Sequence, residues 1–396
     1  MPRWIWDAKD SWEDDVTNLV LFVTNDFGPR AGGIETFIHG LIEGIPDKRV
    51  IVFTSSQGDT DTYDYMWKEK FGVEIIRDKS TILLPSLRVT RRLKKLCTEK
   101  SIGIVVFGAA APLGLLAPSL RKVGVKRIVA LTHGHEVWWA KVPPFSFAIR
   151  RIGNSVDVLT YLGEFTRSAI GSALTHKAKD SMVRIAPGID VEHFFPQSSA
   201  GTLRAELGLA NKKVIVCLGR LVHRKGQDIL IKALPEIRKS VPDAHILFIG
   251  EGPYRKNLVK LAHDLEVSQA ITFIGRIQYQ DLPRYLSVGD IFAMPSRSRF
   301  FGLEVEGLGI VYLEASACGL AVIAGASGGA PDAVLQGKTG IVVDGTNVGE
   351  VSASVIDLLS NPTLAKEMGK NGNEWVSQQW RWDIWSQKFA ELLISD

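Results

Sequence analysis

Short runs of apolar and β-branched residues recur along this chain, alternating with segments of helical periodicity. NLVLFVTN (18–25), RVIVFTS (49–55), IGIVVFG (102–108), KRIVALTHG (126–134) and VDVLTYLG (156–163) lie in the first half. KVIVCLG (213–219), AHILFIG (244–250), AITFIG (270–275), DIFAMPS (290–296) and LAVIAG (320–325) lie in the second. A strand that is apolar at nearly every position must be covered on both faces. Such strands alternating with helices specify parallel sheets with helices on either side. A chain of 396 residues also exceeds the roughly 250–300 residues that one core accommodates, so two doubly wound α/β domains are expected. The stretch RIAPGIDVEHFFPQ (184–197) interrupts the alternation with Pro187, Gly188 and Pro196 and marks the crossover. The expected division is an N-terminal extension at 1–17, a first domain at 18–190 and a second at 191–381. A closing helix, beginning near Trp380 and covering 382–396, is expected to pack back across the junction. In doubly wound sheets ligands sit outside the carboxyl ends of the strands, which places the expected site in the cleft between the domains.

Composition narrows the function classes. The chain is 45% hydrophobic and 23% charged, an ordinary globular profile that excludes disordered and collagen-like classes. A net charge of +4 is too weak for a general nucleic-acid binder, and no nucleic-acid partner is expected. The charge is concentrated, however: Arg88–Arg127 holds ten Lys/Arg against the single acid Glu99, a region suited to an anionic surface. Cys97, Cys217 and Cys318 are far apart, form no metal spacing and suit a reducing compartment. The acidic, Trp-rich first residues lack the apolar core of a signal peptide. The uncharged run Ser101–Leu120 is broken by Gly103, Gly108, Pro112, Gly114 and Pro118, which reads as strand, loop and helix rather than a membrane span.

Four segments carry chemistry. In PSRSRFFGLEVEGLGIVYLEASACG (295–319), Glu306 and Glu314 are separated by seven residues, with Gly307, Leu308, Gly309 and Ile310 expected at a helix start. Unpaired N–H groups and roughly half a positive charge at a helix N-terminus suit a phosphate. Glu304 falls two residues too early for this spacing. In LGRLVHRKGQDILIKAL (218–234), Arg220 and Lys225 occupy a turn at a strand's carboxyl end, the residue types that neutralise a diphosphate. Arg224 is expected to be their solvated neighbour. In NDFGPRAGGIETF (25–37), Gly32 and Gly33 allow backbone N–H groups to approach an anion. In THGHEVWW (132–139), His133 or His135 could meet a polar ligand. His135 and Glu136 do not complete a zinc-binding H-E-x-x-H, and no metal or cofactor is expected. Each segment also reads as ordinary strand-turn-helix structure with solvated charges.

In combination, AGGIE, PGIDVEHFFP, GRLVHRKG, GEGP and the Glu-x7-Glu run followed by GGAPD resemble the retaining GT-B glycosyltransferases of family 4, over residues 18 to about 383. VFGAAAPLGLLAP, LTHGHEVWW, GLGIVYLEASACG and QWRWD are similar to the mannosyltransferases that build phosphatidylinositol mannosides. The resemblance implies a GT-B fold and transfer of mannose from GDP-mannose to phosphatidylinositol monomannoside, with retention. It implies that Arg220 and Lys225 neutralise the diphosphate, and that Glu314 holds the ribose. Glu306 and the N–H groups of Gly307–Ile310 would hold the mannose and distal phosphate. The backbone at Arg276–Ile277 would read guanine, Gly32 and Gly33 would close on phosphate, and His133 would touch the mannose. The family's Glu after GGxP is Asp332 here and is assigned no role. Two alternatives stay open: a relative using another nucleotide-sugar or a soluble acceptor, and an inactive membrane-associated binding protein on the same scaffold.

A lipid acceptor requires a membrane contact, and LPSLRVTRRLKKLC (84–97) offers one. At helical spacing Arg88, Arg91, Arg92 and Lys95 share a stripe of about 100°, while Val89, Leu93 and Leu96 lie within about 60° on another face. The segment also reads as ordinary structure, with Val89, Leu93 and Leu96 packed on the sheet and the bases solvated. On the membrane reading the basic face stays free for an anionic leaflet, giving peripheral attachment on the cytoplasmic side of the plasma membrane.

Overall fold

The computed structural model describes residues 19–29, 32–45 and 49–394, so the expected N-terminal extension lies outside the described residues. The chain forms two compact units. One runs to Gly188 and resumes at Trp382; the other is Ile189–Arg381.

In the first unit, β1 (Val20–Thr24), β2 (Val50–Thr54), β3 (Glu74–Arg77), β4 (Ile104–Phe107), β5 (Arg127–Ala130), β6 (Val158–Tyr161) and β7 (Met182–Arg184) form a sheet. Its order is β3-β2-β1-β4-β5-β6-β7, and its described pairings are parallel. β1 is central, with Val20 facing Val50 on one side and Ile104 on the other. Val20, Leu21, Phe22 and Val23 are wholly buried, which is why the run is apolar without alternation. The Trp382–Ile394 helix belongs to this unit: Phe389 packs on Phe22, and the Arg127 guanidinium donates to the Leu392 carbonyl. This helix starts two residues later than Trp380. Trp380 instead closes the Pro362–Gln379 helix, its N–H bonding to the Val376 carbonyl, and is buried in the second unit.

In the second unit, β8 (Lys213–Leu218), β9 (Ala244–Ile249), β10 (Ile271–Gly275), β11 (Ile291–Met294), β12 (Ala321–Gly325) and β13 (Gly340–Val343) are ordered β10-β9-β8-β11-β12-β13, again parallel. Both units are therefore doubly wound and Rossmann-like. Strand order reverses between β1 and β4 in the first and between β8 and β11 in the second, and at each reversal the outgoing loops part and leave a crevice.

Three strands escape the apolar-run criterion: β3, β7 and β13. All three are sheet edges and none is fully buried. An edge strand is partly wet, so its sequence need not be continuously apolar.

Candidate active site

The crevice of the second unit is bounded by two loops. One leaves β8 and enters the Gln227–Ser240 helix; the other leaves β11 and enters the Ile310–Ala317 helix. Lys225, on the first loop, is 8% exposed. Its Nζ lies 2.8 Å from Glu306 Oε2 on the second loop, and Arg224 Nη1 lies 2.5 Å from the same oxygen. Arg224 is thus not a solvated neighbour. Glu306 is 7% exposed, and a carboxylate so buried draws in every cation within reach. Burial pushes Glu306 upward, but Lys225 and then Arg224 outweigh it and hold the carboxyl below its ordinary value. Glu304 is not idle either: its Oε2 pairs with Arg299 Nη1 at 3.0 Å, and its Oε1 lies 3.9 Å from Arg224 Nε.

Glu314 sits on the buried side of the Ile310–Ala317 helix. Burial raises its pKa to about 7, against the attraction of Lys225. The two glutamates thus have opposite environments: Glu306 is ionised, whereas Glu314 titrates near neutrality. Arg220 occupies the same turn with its side chain exposed, while its carbonyl accepts from Gln227 Nε2 at 3.2 Å. Gly309 caps the helix and Ile310 begins it, whereas Gly307 and Leu308 belong to the preceding loop. The helix start is therefore narrower than the four residues expected. Arg276 and Ile277 directly follow β10, with Arg276 exposed and Ile277 half-buried.

In the first unit, Gly32 and Gly33 begin the Gly33–Glu43 helix after β1, beside the strand-order reversal. A Cβ at Gly32 would collide with the Glu35 carboxylate, so that glycine makes room for an acid of the same turn, while Gly33 is open. His133 follows β5 and is 4% exposed. Burial lowers its pKa, outweighing the opposite pull of Glu136, and the ring is neutral. Its Nε2–H donates to the Gly108 carbonyl at 2.7 Å, and its backbone N–H donates to Glu136 Oε2 at 2.8 Å. Nδ1 keeps the lone pair. Among the described residues, no group of three or more His, Cys, Asp or Glu could hold a metal ion.

The Leu87–Glu99 helix buries Val89 and Leu93, as its apolar face requires, and departs from expectation elsewhere. Its buried residues are Val89, Leu93 and Cys97, with Leu96 only half-buried. Its basic face is only partly free. Arg88 and Arg92 both bind the fully buried Asp78 carboxylate, at 2.7 and 2.8 Å, and the Arg88 bond holds the Asp78 carboxyl far below its usual range. Lys95 lies 3.6 Å from Glu99 and Arg91 is exposed. A buried carboxylate outside the helix was invisible to a helical projection of the helix alone. Ile82, Leu84 and Leu87, leading into the helix, are exposed. No described helix is long and apolar enough to cross a membrane.

Residues 31–193 match the family described as Glycosyltransferase Family 4, and residues 200–375 match Glycosyl transferases group 1. The GDP-mannose-dependent alpha-(1-6)-phosphatidylinositol monomannoside mannosyltransferase of Mycolicibacterium smegmatis is 45% identical over 376 residues, covering 94% of this chain and 98% of that one. The corresponding enzyme of Corynebacterium glutamicum, named for a monoacylated acceptor, is 41% identical over 383 residues, covering 95% and 98%. The chain belongs to this glycosyltransferase family. The crystal structure of Anabaena HepE in complex with UDP is similar to this glycosyltransferase, with a TM-score of 0.79 at 20% identity over 94% of this chain and 99% of that one. Sucrose-phosphate synthase of Thermosynechococcus elongatus gives a TM-score of 0.76 at 20% identity over 94% and 98%. The fold of this family member is GT-B.

Proposed function

We propose that this chain transfers mannose from GDP-mannose to phosphatidylinositol monomannoside, with retention of configuration, yielding the dimannoside. The observation that carries this reading is the cluster of Lys225, Arg224 and Glu306 beside Glu314, at the strand-order reversal of the second unit. Its support comes from relatives named for that donor and acceptor over nearly their whole length.

In the proposed reaction the bond between the anomeric carbon and the diphosphate oxygen breaks, and an acceptor hydroxyl forms the new bond on the same face. The hydroxyl proton passes to the departing phosphate oxygen. Negative charge grows on the diphosphate, where preorganised cations act most strongly in a water-poor site. Lys225 and Arg220 supply that charge, with Arg224 as a third cation. Glu306, released from Arg224 and Lys225 as phosphate takes its place, accepts from mannose hydroxyls. Glu314 holds the ribose, and the backbone at Arg276–Ile277 reads the base. Attachment is peripheral, on the cytoplasmic leaflet. The exposed Ile82, Leu84 and Leu87 flank the basic helix and support this reading.

Turnover of GDP-mannose against phosphatidylinositol, its monomannoside and soluble sugars tests the proposal. Selective mannosylation of the monomannoside supports it. A soluble acceptor would point to a different relative, and binding without turnover to an inactive scaffold. Thermal shifts with GDP, UDP, ADP and NAD identify the nucleotide independently, because a ligand at about 100 times its dissociation constant adds about 2.7 kcal/mol.

A further inference from the structure

Arg297 is a buried charge that the reaction as described does not use. It follows β11, is 8% exposed, and lies behind the loop that carries Arg224 and Lys225. Its Nη2 donates to Asp228 Oδ1 at 2.8 Å, in an ion pair buried on both sides. The same atom lies 2.6 Å from His223 Nδ1, and the Arg297 N–H donates to the Arg224 carbonyl at 2.8 Å. Burial, reinforced by the Arg297 charge, lowers the His223 pKa, so the ring is neutral and its Nδ1 accepts. One residue therefore holds the 223–228 segment at its first, second and last positions. The backbone is pressed against the same support. Gly226 has φ +73°, and a Cβ there would collide with the Pro295 carbonyl oxygen.

A buried ion pair is weak evidence for stability, since apolar residues of similar volume often fold as well or better. What such a pair supplies is a fixed, directional geometry. Side chains that neutralise developing charge lose much of their effect when displaced by an ångström.

We infer that Arg297, braced by Asp228, is a positioning residue that sets the turn presenting Arg224 and Lys225 to the donor diphosphate. The inference rests on the proposed reaction and deepens it. Arg297 touches no reacting atom in this role; it acts through Lys225 and Arg224.

The test separates position from stability. The double variant Arg297→Met/Asp228→Leu removes both charges together and leaves neither buried alone. It should melt within a few degrees of the parent, yet turn over GDP-mannose with kcat at least ~10-fold lower, as expected when a charge-stabilising group is misplaced. Parent-like kcat in this variant would overturn the inference. Arg297→Lys serves as the second variant, because an ammonium keeps a positive charge beside Asp228 but not the planar guanidinium that sets one nitrogen between Asp228 and His223. It should fold, and lower kcat several-fold more than it changes KM. In a Lys225→Ala background the same Arg297→Lys change should cost clearly less than it does in the parent, because only Arg224 is left for Arg297 to act through. Full additivity of the two changes would overturn the inference. If the parent turns over no GDP-mannose, the functional reading fails by itself. The affinity for GDP then decides: a double variant binding GDP as tightly as the parent refutes the positioning role, and weaker binding supports it.

Discussion

Lys225 Nζ and Glu306 Oε2 stand 2.8 Å apart, with both side chains about nine-tenths buried, on loops that leave neighbouring strands. The pair joins sequence segments that neither helical nor strand periodicity connects. It also means that donor phosphate, in the proposed reaction, meets a lysine already engaged by a carboxylate.

Two cations of this turn are expected to separate in stability but not in turnover. Lys225→Ala and Arg220→Ala should each lower GDP-mannose turnover by ~100-fold or more, because each acts on charge that grows in the transition state. Lys225→Ala should also lower the melting temperature by several degrees, since it leaves Glu306 buried with Arg224 alone. Arg220→Ala removes an exposed side chain and should melt like the parent. A folded Lys225→Ala protein with normal turnover would refute the clamp.

The glutamates are expected to separate by ligand. Glu314→Gln should weaken GDP and GDP-mannose alike, because the ribose is common to both. Glu306→Gln should weaken GDP-mannose more than GDP. Glu304 is unsuitable as a control, given its contacts with Arg299 and Arg224, and the exposed Glu236 takes that place. Calorimetry that gave the reverse pattern would exchange the two roles.

Glu314 also imposes a pH dependence. Its carboxyl is raised to about 7 in the folded chain, so between its unfolded value and about 7 the folded state holds the extra proton. The resulting stabilisation is complete below the unfolded value and is lost as pH rises through about 7, a total on the order of 3 kcal/mol. Denaturant melts at pH 5, 6, 7 and 8 should show the parent losing stability relative to Glu314→Gln over that interval. Parallel curves for the two proteins would mean that the carboxyl is not perturbed.

The membrane prediction rests on Asp78. Arg88 and Arg92 are held by its buried carboxylate, so Asp78→Asn should free two cations and increase binding to anionic vesicles. Arg91→Ser/Lys95→Ser should decrease it. Co-sedimentation at two ionic strengths checks both, since the Debye length falls from ~10 Å at 0.1 M to ~3 Å at 1 M salt. Asp78→Asn should also soften the acid dependence of stability. A carboxyl held below its usual range stabilises the fold above its unfolded value, and that contribution is lost as pH falls through the folded value. Unchanged vesicle binding in Asp78→Asn would show that this helix is not the membrane contact.

The α/β class, the interior strands and the loops that bear the candidate site were legible in the chain's local patterns. Val20–Val23 and Ile246–Ile249 must be covered on both faces, and a continuous apolar run states that requirement directly. Lys225, Glu306 and Glu314 were legible because turns at strand carboxyl ends and a seven-residue spacing are local features. The partners of the charged side chains came from the fold. Arg224 was expected in solvent, and only the fold brings Glu306, 82 residues away, onto it. Arg297 and Asp228 lie 69 residues apart, and Asp78 captures Arg88 and Arg92 from outside their helix. The edge strands β3, β7 and β13 were equally hidden, because a partly wet strand of three or four residues displays too short an apolar run to stand out. Burial along a strand or helix repeats with a period that a sequence displays. The pairing of charges depends on which loops the sheet brings side by side, and that order is a property of the whole fold.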